Sequence, residues 1–426
     1  MTLSNRALEA EEGSKGMLIW DVITNLWDHQ SNPDGIVSLG VAENTLMHDV
    51  LKKHIQDNLA LSNLAFTYGD GTTGTKRAKK AVARFLTRQL KPFRDIQPAH
   101  ISMTNGCSAA IEHLSWAIAD PGDAILLGQP YYGTFIPDLT CRFGAKLLPV
   151  PFNEVDPLGD DAVAKYEEVI VDAQKKGLKV KGLVISHPHN PLGRCYSRSV
   201  LIGLMKLCQK YQAHFISDEI YALSTWPNNI DTNPPPVPFE SALTIDTAGV
   251  IDPSLVHVLW GMSKDFGANG IRVGALISQS NPSLHSALVA VGLYSSVSSI
   301  SDHITVNLLE DDTFVEFYMA ENCKKLAAQY ERAVSWAKKN DIAYAAGVNA
   351  AFFLWVDLGK AYRARHTVGE TEDITGLVMK KLLEEKVFLA SGEAFGSEQP
   401  GWFRIVFSHP DEYLDMGLER VVKALQ

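Results

Sequence analysis

The chain has 426 residues, 46% of them apolar and 21% charged, with a formal net charge of −10. That length fits two or three domains, or one large α/β domain with a smaller partner, and the composition excludes a disordered or fibrous protein. The acidic balance argues against nucleic acid as the main partner, because phosphate backbones need clustered Lys and Arg. A small-molecule substrate is the expectation.

In chain order, the opening MTLSNRALEAEEGSKG carries acidic residues where a secretory signal needs an apolar run. No later apolar stretch approaches the roughly 20 residues of a membrane span, so a cytoplasmic protein with no membrane partner is expected. The middle of the chain predicts strands at Ala124–Gly128, Leu147–Val150, Gly182–Ser186, His214–Ser217, Val256–Trp260 and Gly274–Ser278. Apolar residues spaced by three and four predict amphipathic helices at Ser108–Ala119 and Ser197–Lys210. Alternation of this kind predicts an α/β fold, with a mostly parallel sheet flanked by helices and ligands bound at the carboxyl ends of its strands. At Trp226–Phe239 (WPNNIDTNPPPVPF), three successive prolines exclude helix and central strand, and the segment reads as a surface loop or as a lid. Asp311–Lys339 reads as one long helix, followed by strands Ala351–Asp357 and Phe403–Phe407. The expected organisation is an N-terminal arm with part of a small domain over 1–60, a large domain over 61–310, and a small α+β domain over 311–426. The five cysteines, Cys107, Cys141, Cys195, Cys208 and Cys323, are odd in number and form no C-x-x-C pair. Neither a disulfide framework nor a metal site is indicated, and the usage suits a reducing compartment.

Residues just after the strands carry the chemistry. Ser263-Lys264 follows Val256–Trp260, with Arg272 eight residues beyond the lysine. Burying an ammonium is costly, so a lysine here is either solvated or used; lowered in pKa and facing a cleft, it can form a Schiff base. Asp218 ends HFISDEIY with Tyr221 three residues on; the carboxylate could keep a heterocyclic nitrogen protonated and the phenol could bond a ring oxygen. Asn190, in SHPHNPLG, could donate to the same oxygen. A helix cap and a turn residue are the plainer readings of Asp218 and Asn190. Asn105-Gly106-Cys107-Ser108 opens a helix whose N-terminus favours a phosphate, to which Arg272 could add a forked contact. Tyr131 and Tyr132, in GQPYYGTF, supply an aromatic ring for stacking or simply for the core. Arg404 stands inside the apolar strand GWFRIVF, and a buried arginine needs an anion: a structural carboxylate or a substrate's.

Taken in order, these residues resemble the fold-type I pyridoxal-phosphate enzymes. The closer similarity is to class I/II aminotransferases and, among them, to the 1-aminocyclopropane-1-carboxylate (ACC) synthases. The similar stretches are SLGVAEN (Ser38–Asn44), ADPGDAILLGQPYY, NPLG, SDEIY, SKDFGANGIRVG and GWFRIVF, spanning about Ser38 to Phe407. The resemblance implies pyridoxal 5'-phosphate held by Lys264 as a Schiff base, with Asp218 on the pyridine nitrogen, Asn190 and Tyr221 on the ring oxygen, and Tyr132 stacked on the ring. It also implies Gly106, Cys107, Ser108, Ser263 and Arg272 around the phosphate, and Arg404 on the substrate carboxylate. Tyr68, in FTYGDG, is similar to a tyrosine that reaches the neighbouring subunit's phosphate, which implies a homodimer with shared sites. Two departures stand out: Gly261 occupies the place of a phosphate-binding serine, and Gly69–Gly74 (GDGTTG) differs after the tyrosine. The implied chemistry is α-proton removal by Lys264 to a ring-stabilised carbanion (a quinonoid), then β- or γ-elimination or replacement, as in an ACC synthase or a carbon–sulfur lyase. Transamination to a 2-oxo acid is the second reading, and a catalytically inactive binding or regulatory protein the third. Glu43 favours the first, as a second acid/base or a carboxylate facing a sulfonium, unless it is an exposed turn residue.

Overall fold

AILLG and VHVLWG are apolar at nearly every position, and VKGLVIS and HFISD have apolar centres, so they suit strands covered on both faces. The computed structural model, which describes residues 3–15, 17–142, 144–369 and 371–426, buries them at the centre of a seven-stranded sheet. From edge to edge the strands are Ile101–Thr104, Gly274–Ile277, Val256–Gly261, His214–Asp218, Val180–Ser186, Ala124–Gly128 and Lys146–Val150. All neighbours pair in parallel except Gly274–Ile277, which runs against both of its partners. The α/β architecture is therefore as expected.

Side-chain alternation divides the core between the two faces. Ile125, Leu127, Val184, Ile216, Leu259 and Leu276 pack under the helix Cys107–Ile118 through Ala110, Ile111 and Leu114. Leu126, Leu183, Ile185, Phe215, Val258 and Trp260 face the helices Lys76–Leu90, Ala162–Lys175 and Arg198–Tyr211 on the other side. A second, antiparallel sheet of Ala390–Ser391, Trp402–Val406, Phe353–Asp357 and Ala343–Tyr344 builds a separate core from the C-terminal part of the chain. Val37–Ser38 reaches across the sequence to pair in parallel with Val387–Phe388. The helix Asp312–Lys339 joins the two cores: Val315 and Tyr318 enter the first, and Leu326, Tyr330, Ala333 and Val334 the second. Asp311 caps it, its carboxylate accepting from Phe314 N at 3.0 Å.

Element bounds move by a residue or two from the sequence expectation. The strand Ile101–Thr104 was not expected, since ISMT is too short and too mixed to show a period. The proline segment is fastened to the second sheet. Trp226 N donates to Asn349 O at 3.0 Å, Asn228 Nδ2 to Val348 O at 2.8 Å, and Asn349 Nδ2 to Val237 O at 2.7 Å. Asp231 accepts from Tyr330 and Tyr344 hydroxyls and from Gly347 N. These bonds make the segment a pinned surface loop rather than a lid. Among the described residues, no helix is long and apolar enough to cross a membrane.

Candidate active site

The carboxyl ends of Ile101–Thr104, Ala124–Gly128, Val180–Ser186, His214–Asp218 and Val256–Gly261 lie along one rim of the sheet, and the loops after them bring most of the sequence-predicted residues together there. After Val256–Gly261 the backbone turns into the short helix Met262–Asp265, which buries Ser263 and points half-buried Lys264 towards Ala42, whose carbonyl accepts from Nζ at 2.5 Å. Burial pulls the ammonium's pKa down to about 8, helped by the positive charges of Arg404 and Arg272 and opposed by Glu43 and Asp218. Asp218, 4% exposed, is pushed up to about 7 by burial and by the nearby Asp138 carboxyl, with Ile220 N as a backbone donor at 3.3 Å. Tyr221 is buried edge-on against Phe352 and Phe353, and burial drives its phenol well above the usual range.

Arg404 reaches the same group of residues from the second sheet, where it stands opposite Trp355 and Ala390. One Nη donates to Asn190 Oδ1 at 2.8 Å and the other to Gly40 O at 2.7 Å, while the guanidinium lies between the rings of Phe353 and Phe395. Its Nε is buried with no partner among the described residues, and burial lowers its pKa to about 10. Among the described residues no carboxylate bridges Arg404. Tyr132, on the loop after Ala124–Gly128, packs edge-on against Phe135 and feels the charges of Arg404 and Asp218; burial raises its phenol.

The anion end of the cleft is built by glycine. Gly106, at φ +83°, caps the helix Cys107–Ile118, so that the helix begins at Cys107 and Ser108 lies in its first turn, one residue earlier than expected. Arg272, itself left-handed at φ +59°, donates from Nη1 to Asn269 O at 2.8 Å. A Cβ on Gly106 would lie 2.2 Å from the other Nη, so only glycine lets the guanidinium rest on the helix N-terminus. A helix dipole and a guanidinium converging on one point make an anion cradle.

Gly261 has a packing reason of its own. A Cβ there would lie 2.6 Å from Val273 O and 3.0 Å from Cys107 Sγ. Cys107 thus fills the space a side chain at 261 would need. Its thiol is raised by burial chiefly, and by Asp218. Gly261→Ser is therefore expected to destabilise the fold by about 1–3 kcal/mol, the usual range for overpacking, read as a lower denaturant midpoint at unchanged slope. Wild-type stability in this variant would contradict the packing account.

Of two further expected residues, Glu43 joins the site and Tyr68 does not. Glu43 is half-buried rather than an exposed turn residue: Oε1 accepts from Asn269 Nδ2 at 2.8 Å, Ser408 Oγ donates to its carbonyl at 2.6 Å, and its charge reaches Lys264. Tyr68 is 97% exposed, on the wall of a cleft of ≈ 600 Å³ shared with Asn105, Leu293 and Asp302, and the structure does not bring it to Lys264. Sequence reasoning missed the carbonyls of Gly40 and Ala42, which leave no residue signature, and Asn269, visible only as part of GANGIRVG. It also missed Asp138, hidden in the short helix Phe135–Thr140.

The donor set fits pyridoxal 5'-phosphate. Asp218 is a buried carboxyl suited to pair with a protonated ring nitrogen, Lys264 an amine of lowered pKa, and the Gly106–Ser108 helix start with Arg272 a phosphate cradle. Arg404 keeps a free Nε for a carboxylate.

Comparison with known proteins gives the same direction. The family model described as aminotransferase class I and II matches residues 34–421. The chain is 31% identical over 421 residues to 1-aminocyclopropane-1-carboxylate synthase-like protein 1 of Takifugu rubripes, covering 97% of this chain and 65% of that protein. It is 33% identical to 1-aminocyclopropane-1-carboxylate synthase 1 of Oryza sativa subsp. indica (93% and 82% covered). It is 32% identical to the probable aminotransferase sirI of Leptosphaeria maculans (92% and 91%). Among solved structures, the multiple substrate aminotransferase of Thermococcus profundus superposes with a TM-score of 0.77 at 19% identity, covering 99% of this chain and 97% of that one.

Proposed function

The chain belongs to the class I and II aminotransferase family, whose members depend on pyridoxal 5'-phosphate, and on that premise we propose that it acts at the α-carbon of an amino acid and eliminates or replaces a β- or γ-substituent. The observation that carries the reading is Arg404, a buried cation with neutral partners, an unpartnered Nε and Lys264 close enough to feel its charge. A substrate carboxylate supplies the missing anion and brings the α-carbon beside the lysine.

When bound, the cofactor supplies an electron-accepting ring that makes the α C–H acidic. Lys264 would hold it covalently through Nζ, and the same nitrogen, with its pKa brought near neutrality, would carry the α-proton. Asp218 would keep the ring nitrogen's proton in place, and Asn190 and Tyr221 would hold the ring oxygen. Tyr132 would cover the ring face. Gly106, Cys107, Ser108, Ser263 and Arg272 would hold the phosphate. Tyr68, so exposed in one copy, would reach the phosphate of a second copy, giving a homodimer; a monomer in sedimentation of active protein would remove that assignment.

Glu43 supports elimination or replacement over transamination. Its carboxyl group is fixed by Asn269 near Lys264, where as the acid it can protonate a leaving group and as the carboxylate it can face a cationic one. The likeness to the probable aminotransferase of Leptosphaeria maculans favours transamination as a second reading. A third reading, an inactive binding protein, is favoured by 31% identity to the probable inactive 1-aminocyclopropane-1-carboxylate synthase-like protein 2 of Mus musculus. Incubation with an amino-acid panel, S-adenosylmethionine and cysteine conjugates separates them. Product formation with no 2-oxo acid acceptor is expected, and Glu43→Gln should slow it by about 10²-fold, within the range for a general acid or base. A strict need for an acceptor, with Glu43→Gln unimpaired, would replace the first reading by the second.

A further inference from the structure

The turn that carries Lys264 and the loop Ala42–Asn44 meet backbone to backbone. A Cβ on Gly267, at φ +59°, would lie 2.2 Å from Asn44 O, so glycine alone permits this approach. Polar contacts cross the seam: Lys264 Nζ donates to Ala42 O at 2.5 Å, Asn269 Nδ2 donates to Glu43 Oε1 at 2.8 Å, and His48 Nε2 bonds Gly267 O at 3.0 Å. The loop belongs to no helix or strand, since Val37–Ser38 ends before it and His48–Asn58 begins after it. Side chains from elsewhere must therefore hold it in place.

Asn322 is the buried anchor. It lies on Asp312–Lys339 between the part that enters the first core and the part that enters the second. Its own exposure is 0% and that of Asn44 is 1%. Leu46 N donates to Asn44 Oδ1 at 3.2 Å, which turns Asn44 Nδ2 to Asn322 Oδ1 at 2.8 Å and Asn322 Nδ2 to Asp265 O at 3.4 Å. A backbone donor at one end and a backbone acceptor at the other fix both amides in one sense. The anchorage of the two segments is unequal. Beside Lys264, Tyr318 Oη donates to Phe266 O at 2.7 Å, and the Asp265 carboxyl accepts from Ser224 Oγ, Leu223 N and Trp260 Nε1. On the loop, Ser408 grips backbone, through Glu43 O and Thr45 N. Loss of the Asn322 amide strands a buried donor on Asn44 and so frees the loop more than the lysine.

We propose that Asn322 is a positioning residue for departure of the leaving group, a role that rests on the elimination reading above: it fixes the Ala42–Asn44 loop so that the Glu43 carboxyl group stands where it can hand a proton to the departing atom. In β-elimination from a cysteine thioether, Lys264 takes the α-proton and the freed electron pair forms the Cα–Cβ double bond. The C–S pair leaves on sulfur, and the Glu43 proton completes the thiol. Water then converts the 2-aminoacrylate to pyruvate and ammonia. Chloride, by contrast, departs as a stable anion and needs no proton.

The test compares initial rates of pyruvate formation by the full-length holoenzyme from S-methyl-L-cysteine and from β-chloro-L-alanine, with no 2-oxo acid added. Asn322→Ala is expected to slow the thioether by about 10–10²-fold, the usual cost of misplacing a reacting group by about an ångström. The same variant should stay within about threefold of wild type on the chloride, whose departure needs no general acid. Asn44→Ala removes the other half of the bond and should show the same selectivity. Loss of fold or of cofactor lowers both rates together, so the ratio of the two reads the loop alone. Added to Glu43→Gln, Asn322→Ala should cost little more, since both act on one proton transfer. A thioether-to-chloride ratio unchanged from wild type, in whichever variant folds, or losses that multiply with Glu43→Gln, overturn the role of Asn322 and leave elimination standing. So does a wild type that acts on the chloride alone. No pyruvate from either compound with wild type overturns β-elimination itself, and the role of Asn322 with it.

Discussion

Replacing Lys264 by alanine is expected to lower turnover by about 10⁴-fold or more, because one substitution removes both the covalent anchor and the group that moves the α-proton. The loss should appear in kcat with the fold intact. In the folded protein the ammonium is held at about 8, below the 10.5 of a free lysine, so the group favours the unfolded state wherever it is charged. That penalty is full below pH 8 and fades as pH rises from 8 towards 10.5. The cofactor-free alanine variant should therefore be no less stable than cofactor-free wild type at pH 7, and its stability should lack the rise between pH 8 and 10.5. Parallel kinetics and chemical denaturation at pH 7 and 10 check both halves. Turnover within tenfold of wild type would contradict the assignment of the lysine.

Arg404→Met carries the second large effect. Truncating one side of a buried charged contact costs roughly 2–5 kcal/mol, or about 30-fold to 5 × 10³-fold in kcat/KM. The structure predicts a dissociation between activity and stability. The native guanidinium is already a buried cation with only neutral acceptors, Asn190 Oδ1 and Gly40 O. Relief of that desolvation offsets the two acceptors left unpaired, and stability should stay within about 1 kcal/mol of wild type. Arg404→Lys should rescue little, because an ammonium cannot present a planar fork between the Phe353 and Phe395 rings. A large loss of stability with kcat/KM preserved would make Arg404 a structural residue.

Much of this was legible in the sequence, for reasons that can be traced residue by residue. AILLG and VHVLWG are so continuously apolar that only a two-sided burial suits them, and a parallel sheet then places Tyr132 and Lys264 on the same rim. Asp218 closes a strand in HFISD and so could be assigned to that rim before any coordinates. Other features depend on contacts between distant segments, which no local pattern encodes. Gly261 read as a missing donor, whereas the structure shows Val273 O and Cys107 Sγ closing the space. The partners of Arg404 come from residues 40 and 190, so its lack of a carboxylate was invisible in GWFRIVF. Trp226–Phe239 read as loop or lid from its prolines, but its bonds to Asn349, Val348 and Tyr344 come from more than 100 residues away.

The most direct measurement is borohydride reduction of the purified protein with bound pyridoxal 5'-phosphate, followed by peptide mass mapping. The account predicts one stable mass addition, on the peptide that contains Lys264, and none after Lys264→Ala. An addition on a different lysine, or no addition from protein that retains the cofactor, would contradict it.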